Sequence, residues 1–142
     1  MKKVIRKDII RTKLKEMQES IKLAEENLPD AFEEFSKLGL IKDGIYKRVE
    51  FAIENIFDVC AIMNADLELG IPESDEGIVD NLVRENILTD VMRNKLKSMK
   101  GFRNIVVHAY GKVDDRLAFS ILKKHIRDFY EFMDWINDFL NK

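Results

Sequence analysis

The segment from Gly101 to Tyr110 carries four chemically active side chains within eight positions. They are a guanidinium, a carboxamide, an imidazole and a phenol, supplied by Arg103, Asn104, His108 and Tyr110. Arginine makes forked contacts with phosphate, and histidine acts as a general acid or base near neutral pH. Together these groups suffice for phosphodiester cleavage, in which one group deprotonates an attacking hydroxyl and another stabilises charge on the phosphate.

The geometry of a helix limits how these groups can meet. Arg103 and Tyr110 are seven residues apart and share one face, whereas Arg103 and His108 lie about 140° apart around the axis. A site with both groups therefore needs Arg103 to wrap around the helix, or the helix to end near His108, or a second subunit to complete it. We favour a two-fold dimer whose paired helices bring two arginines and two histidines into one cleft.

The chain around this segment is basic. Residues Val91–Val113, called the basic block below, contain no acid and six cations: Arg93, Lys95, Lys97, Lys100, Arg103 and Lys112. Such a block predicts a phosphate-binding surface, although a solvated helix face has the same composition. The whole chain has 24 Lys and Arg against 26 Asp and Glu, a net charge of −2, which argues against a histone-like or tail-type nucleic-acid binder.

The elements that position these residues are predicted to be helices. Apolar residues follow a helical spacing over residues 10–28, 45–67 and 118–139, with Asp43 and Gly70 as caps of the second stretch and Asp114 or Asp115 starting the third. Further helices are expected over 73–88 and 90–109, the latter capped by Thr89, with a short turn over 31–38. No alternating strand pattern occurs. We therefore predict an all-α, up-and-down bundle of four to five helices, forming one domain over residues 1–142.

Several classes of protein are excluded by the composition. The single cysteine, Cys60, excludes a disulfide framework, and the two histidines lie 17 residues apart, which does not fit a helical metal site. A stripe of Glu50, Glu54 and Asp58 could bind a metal but is more simply a solvated face. His125 lies on an apolar stripe and is expected in the core or at an interface. Without a secretory signal or a membrane-spanning stretch, we expect a cytoplasmic protein that needs no metal or cofactor.

The sequence GFRNIVVHAY resembles the Arg-x4-His-x-Tyr motif of HepT-like proteins, a branch of the HEPN superfamily. The resemblance extends over most of the chain. It includes the second-helix pattern from Arg48 to Asp58, Gly70-Ile-Pro72 before an acidic helix, and the approach to the motif from Leu96 to Phe102.

This resemblance implies an all-helical homodimer that acts as a metal-independent ribonuclease toxin. Its antitoxin would be a nucleotidyltransferase of the MntA type, which neutralises the toxin by transferring AMP from ATP to the motif tyrosine. Arg103 would stabilise the scissile phosphate, His108 would be the general acid/base and Asn104 would orient groups in the site. Tyr110 would accept AMP, and Asp58 would orient the site or lie at the dimer interface. We expect the remaining cations of the basic block to bind RNA: Arg93, Lys95, Lys97, Lys100 and Lys112.

Two other functions are compatible with the sequence. The first is a non-catalytic helical module that binds a nucleotide or docks a nucleotidyltransferase. The second is a purely structural bundle, which the polar residues beside Arg103 disfavour. That last reading would gain support if Arg103 and Tyr110 were both buried against carboxylates of the same subunit.

Overall fold

The computed structural model describes residues 3–107 and 112–142, and these residues contain helices and no strand. The helices are α1 (Lys7–Asn27), α2 (Phe32–Ser36), α3 (Leu40–Asp66), α4 (Asp75–Arg84), α5 (Asp90–Val107), α6 (Asp115–His125) and α7 (Arg127–Leu140). The predicted all-α bundle is confirmed. Four long stretches (α1, α3, α5 and α6 with α7) make up most of it, and α2 and α4 are shorter additions.

Helix α3 is the central element, because α1, α4 and α5 all pack against it. The predicted stripe of α1 faces it: Ile10, Met17 and Ile21 are completely buried at spacings of seven and four residues. The stripe of α3 is equally buried through Ile53, Ile56 and similar positions. Hydrophobic periodicity thus identified the core faces of both helices correctly.

The ends of α3 differ from the prediction. The helix begins at Leu40, after Gly39 with φ 57°, so Asp43 lies inside the first turn and does not cap it. Leu40 and Ile41 are exposed, and the apolar stripe therefore gives no sign of this extra turn. At the other end the helix stops at Asp66, with Leu67 as its cap, so Gly70 (φ 111°) belongs to the following connection.

A buried asparagine fixes the connection from α3 to α4. Asn64 donates a hydrogen bond from Nδ2 to the carbonyl of Gly70 at 2.9 Å, and its Oδ1 accepts one from Asn81 Nδ2 at 2.9 Å. Ser74 then caps α4 by accepting a hydrogen bond from the Gly77 N–H at 3.1 Å. These contacts place the first turn of α4, with its two acids, against α5.

The predicted last helix is divided at Ile126 into α6 and α7. Its start is as expected, since the Asp114 side chain accepts a hydrogen bond from the Leu117 N–H at 3.1 Å. At the division, His125 Nδ1 lies 3.1 Å from Asp128 Oδ2, and the His125 side chain is 44% exposed. The ring is therefore half-exposed and contacts the buried Asp128 carboxylate, so it is not a core side chain, and its position at an interface stays a prediction.

Candidate functional site

Helix α5 carries the first half of the motif. Arg103 and Asn104 lie on its last described turn, after a start that Thr89 caps by accepting a hydrogen bond from the Met92 N–H at 3.1 Å, as predicted. Asn104 is exposed, and the Arg103 side chain is 26% exposed. His108 and Tyr110 lie outside the described residues. Of the four motif residues, the structure therefore describes the positions of Arg103 and Asn104.

Arg103 faces a carboxylate of the same chain. Its Nη2 lies 3.8 Å from Asp75 Oδ2, on the first turn of α4. The Lys100 Nζ, one turn earlier on α5, lies 3.1 Å from Glu76 Oε1 and 4.0 Å from Asp75 Oδ2. The acids of α4 thus form a continuous network with two cations of the basic block.

Two further cations of the basic block are also paired. Arg93 lies 3.2 Å from Asp80 of α4 and 2.7 Å from Asp90. Lys95 contacts Glu131 and lies 3.8 Å from Asp128, both on α7. The hydrogen bond with Glu131 outweighs the effect of burial and raises the pKa of Lys95. The sequence of the basic block contains no acid, but in the folded chain carboxylates of α4 and α7 lie next to its cations.

Lys97 and Lys112 differ from these four cations. Both are exposed, and neither pairs with a carboxylate within residues 3–107 and 112–142. They are the predicted RNA-binding residues whose charge is most available to a ligand. For the other four cations to bind RNA, a phosphate must displace the carboxylate partner of each cation or bind the cation beside that partner.

A cavity of about 350 Å³ opens beside the basic block, between α3, α4 and α5. Apolar side chains of all three helices and the polar side chains of Asn94, Glu76 and Asp80 line it, together with three cations of the basic block: Arg93, Lys97 and Lys100. Sequence reasoning did not find the cavity. Its walls come from three helices that are separated in the sequence, and only the cations of the basic block could be recognised from the sequence.

The structure does not bring Asp58 to Arg103. The Asp58 carboxylate is 56% exposed on α3 and pairs with Lys13 of α1 at 3.2 Å. Glu50 on the same stripe pairs with Lys47 at 3.5 Å. In the described ranges, no group of three or more His, Cys, Asp or Glu side chains is arranged to hold a metal ion.

A polar cluster that the sequence did not reveal anchors the start of α6. The Tyr46 hydroxyl donates a hydrogen bond to Asp115 Oδ1 at 2.5 Å, and Lys42 Nζ donates one to Oδ2 at 2.7 Å. Burial acts to raise the pKa of Asp115, but these two hydrogen bonds lower it on balance. Burial and the bond to Asp115 raise the pKa of Tyr46. The cluster ties α6, which follows the second half of the motif, to α3.

The fold and these residues define a class of protein. An all-helical bundle with an arginine on a basic helix, and a histidine and a tyrosine five and seven residues further along the chain, is typical of HEPN-type ribonucleases. The chain belongs to the Ribonuclease HepT-like family, whose model matches residues 17–136. The family, the fold and the ribonuclease class predicted from the sequence are confirmed.

Individual relatives agree with this assignment. The chain is 28% identical over 129 residues to the mRNA nuclease HepT of Shewanella oneidensis, covering 91% of this chain and 96% of that protein. It is 29% identical over 99 residues to a putative RNase of Archaeoglobus fulgidus, covering 70% and 74% of the two chains. The solved structure of a tri-AMPylated Shewanella oneidensis HEPN toxin in complex with an MNT antitoxin superposes with a TM-score of 0.84 at 27% identity, covering 92% of this chain and 98% of that one.

Across the part of the chain that the structure describes, every helix is too short or too polar to cross a bilayer.

Proposed function

We propose that the chain is the toxin of a toxin–antitoxin pair, folds as one domain over residues 1–142 and cleaves RNA in the cytoplasm as a homodimer. The placement of Arg103 carries this proposal. Its side chain, on the basic helix α5, is 26% exposed, and Asp75 is a loosely held partner at 3.8 Å. A phosphate can replace such a partner, because an ion pair of this exposure contributes only about 0–1 kcal/mol.

The reaction follows from the chemistry of RNA. The 2′-hydroxyl attacks the adjacent phosphorus, the O2′–P bond forms and the P–O5′ bond breaks, leaving a 2′,3′-cyclic phosphate and a 5′-hydroxyl. Arg103 stabilises the negative charge on the non-bridging oxygens, and Asn104 orients them through its amide. One His108 imidazole takes the proton of the 2′-hydroxyl, and the His108 of the second copy gives a proton to the leaving oxygen.

A homodimer supplies both imidazoles to one cleft. Because Arg103 and His108 would be about 140° apart if the helix continued as far as His108, a partner subunit is the simplest way to complete the site. Exposed Lys97 and Lys112 attract the RNA strand. Arg93, Lys95 and Lys100 add contacts when a phosphate binds them beside their carboxylate partners. Asp58, on the α1 side of α3, is assigned to orienting or dimer contacts.

Cleavage of RNA in the presence of EDTA tests the proposed reaction. We expect the purified chain to cleave an RNA oligonucleotide in EDTA and to leave a DNA oligonucleotide of the same sequence intact, because DNA lacks the attacking hydroxyl. Denaturing gel electrophoresis measures both substrates. Intact RNA, together with stoichiometric binding of a nucleotide or a nucleotidyltransferase, would instead establish the non-catalytic binding module.

We also propose that an MntA-like nucleotidyltransferase inactivates the chain by AMP transfer to Tyr110. The structural relative from Shewanella oneidensis is tri-AMPylated and bound to an MNT antitoxin, and Tyr110 completes the motif in this chain. The phenol oxygen attacks the α-phosphorus of ATP, and pyrophosphate leaves. The added group places bulk and negative charge where RNA phosphates bind.

Intact-mass spectrometry after incubation with the cognate nucleotidyltransferase and ATP tests this modification. We expect the wild-type mass to rise by one or more AMP units, with loss of ribonuclease activity, and Tyr110→Phe to keep its unmodified mass. Tyr130→Phe is the matched control. The Tyr130 hydroxyl donates to Glu25 at 3.0 Å, and burial followed by this bond raises its pKa to about 12. Equal labelling of Tyr110→Phe and wild type would refute the assignment.

A further inference from the structure

We propose that the cavity between α3, α4 and α5 binds one nucleotide of the substrate RNA, beside the bond that is cleaved. This inference rests on the proposed ribonuclease function and extends its site along the strand. The cavity holds about 350 Å³, at the lower end of the range of roughly 300–1,000 Å³ found for small-molecule sites. It therefore suits one nucleotide better than a larger ligand.

Arg103 does not line the cavity but lies one turn of α5 beyond Lys100, which does. Along α5, Lys100 precedes Arg103 by about 4.5 Å and Arg93 precedes it by about 15 Å, at 1.5 Å per residue. Asp75 lies 3.8 Å from Arg103 and 4.0 Å from Lys100, and Lys100 in turn contacts Glu76 in the cavity wall. A strand whose phosphate contacts Arg103 can therefore extend toward the cavity along α5.

The lining offers separate partners for each part of a nucleotide. Phe57, Val79 and Leu96, each less than a tenth exposed, form the apolar floor of the cavity, which a base would contact. The Asn94 amide and the carboxylates of α4 can hydrogen-bond to its edges. Single-stranded RNA is recognised in this way, by an apolar platform for the base combined with polar contacts to its edges.

The charges of the lining favour a single phosphate group. Three cations and two carboxylates line the cavity, and Glu76 and Asp80 are paired with Lys100 and Arg93 at 3.1 Å and 3.2 Å. Asp75 and Asp90, outside the lining, also contact Lys100 and Arg93, at 4.0 Å and 2.7 Å. Lys97 remains for the ligand. One available cation matches the single charge of an RNA phosphodiester better than the several charges of a free nucleoside triphosphate.

Protection of an introduced cysteine from maleimide labelling tests whether RNA occupies the cavity. Cys60 is completely buried, and burial raises its pKa to about 12, so Asn94→Cys provides the reactive thiol. We expect a 2′-O-methyl RNA oligonucleotide, which cannot be cleaved, to slow maleimide labelling of Asn94→Cys by about tenfold or more. Labelling of Lys124→Cys, at an exposed position on α6, should not change.

Each other outcome of this experiment contradicts the inference. Unchanged labelling of Asn94→Cys in saturating RNA would show that the strand does not enter the cavity. Equal protection by AMP at the same concentration would assign the cavity to free nucleotides. Full protection before RNA is added would show that another copy of the chain covers it.

Kinetics of Asn94→Ala/Lys97→Ala separate this inference from the proposed function. The double variant is compared with Lys97→Ala alone, because the proposed function already gives Lys97 a contact with RNA. We expect KM for an RNA oligonucleotide to rise about tenfold, with the effect in KM rather than in kcat, because the lost contacts are remote from the reacting atoms. Lys124→Ala is the matched control and should keep the wild-type KM. A wild-type KM in the double variant, with normal cleavage, would overturn the inference and leave the ribonuclease function intact. If wild type cleaved no RNA, the protection experiment would still decide whether RNA occupies the cavity.

Discussion

Arg103→Ala is expected to slow RNA cleavage by about 10²- to 10³-fold, measured as kcat/KM on one RNA oligonucleotide. The guanidinium is proposed to stabilise charge that develops on the phosphate, and alanine offers no donor in its place. Arg103→Lys keeps the positive charge but loses the forked contact, so its activity should lie between those of wild type and Arg103→Ala. A wild-type kcat/KM in Arg103→Lys would show that Arg103 acts through its positive charge alone and not through a forked contact.

The fold should tolerate this substitution. The ion pair of Arg103 with Asp75 joins side chains that are 26% and 34% exposed, so its loss should cost no more than about 1 kcal/mol in the free energy of unfolding. Arg127→Ala, at the exposed first position of α7, is the matched control and should retain wild-type cleavage. If Arg103→Ala cleaved RNA as fast as this control, the proposed site would be wrong.

His108→Ala is expected to have the larger effect, a loss of about 10²- to 10⁴-fold in kcat, because it removes the proposed acid/base group from both halves of the dimer. Single-turnover cleavage of an RNA oligonucleotide at saturating protein measures the chemical step. Binding of an uncleavable RNA, measured by fluorescence anisotropy, should stay close to wild type. An active His108→Ala protein would exclude the proposed mechanism.

The second histidine of the chain provides the control for His108. His125 lies at the division between α6 and α7, hydrogen-bonded to Asp128 at 3.1 Å. In His125→Ala, Asp128 keeps Lys95 at 3.8 Å, and the loss of one hydrogen bond should cost about 1 kcal/mol of stability. We expect normal cleavage from this variant, so that the pair of substitutions separates a chemical role from a structural one.

The sequence was sufficient for the helices because their core faces repeat with helical spacing. The same spacing did not predict where α3 begins or that the last helix is divided. Leu40 and Ile41 extend α3 with exposed residues, so the apolar stripe begins one turn late. The stripe of the last helix continues through Ile126, and the division between α6 and α7 leaves no mark in it.

The candidate site was predictable to the extent that it is local in the chain. The motif and the cations are neighbours in sequence, whereas their carboxylate partners come from α4 and α7. Asp75 reaches Arg103 only because Asn64 and Ser74 fix the connection into α4. The cavity depends on the same placement, and Phe57 enters it from a third helix. Such contacts follow from tertiary packing, which a single sequence does not display.

The carboxylates around the basic block act as counterions that belong to the protein itself. Binding of nucleic acid ordinarily gains free energy when phosphates release condensed salt ions, with a slope of log K against log salt of about −0.7 per contact for single strands. At Arg93, Lys95, Lys100 and Arg103 a side-chain carboxylate is already close to the cation. A strand bound on this face therefore displaces protein carboxylates more than dissolved ions. We expect its affinity to depend less on ionic strength than that of a face with six unpaired cations, because among the described residues only Lys97 and Lys112 of the basic block lack a carboxylate partner.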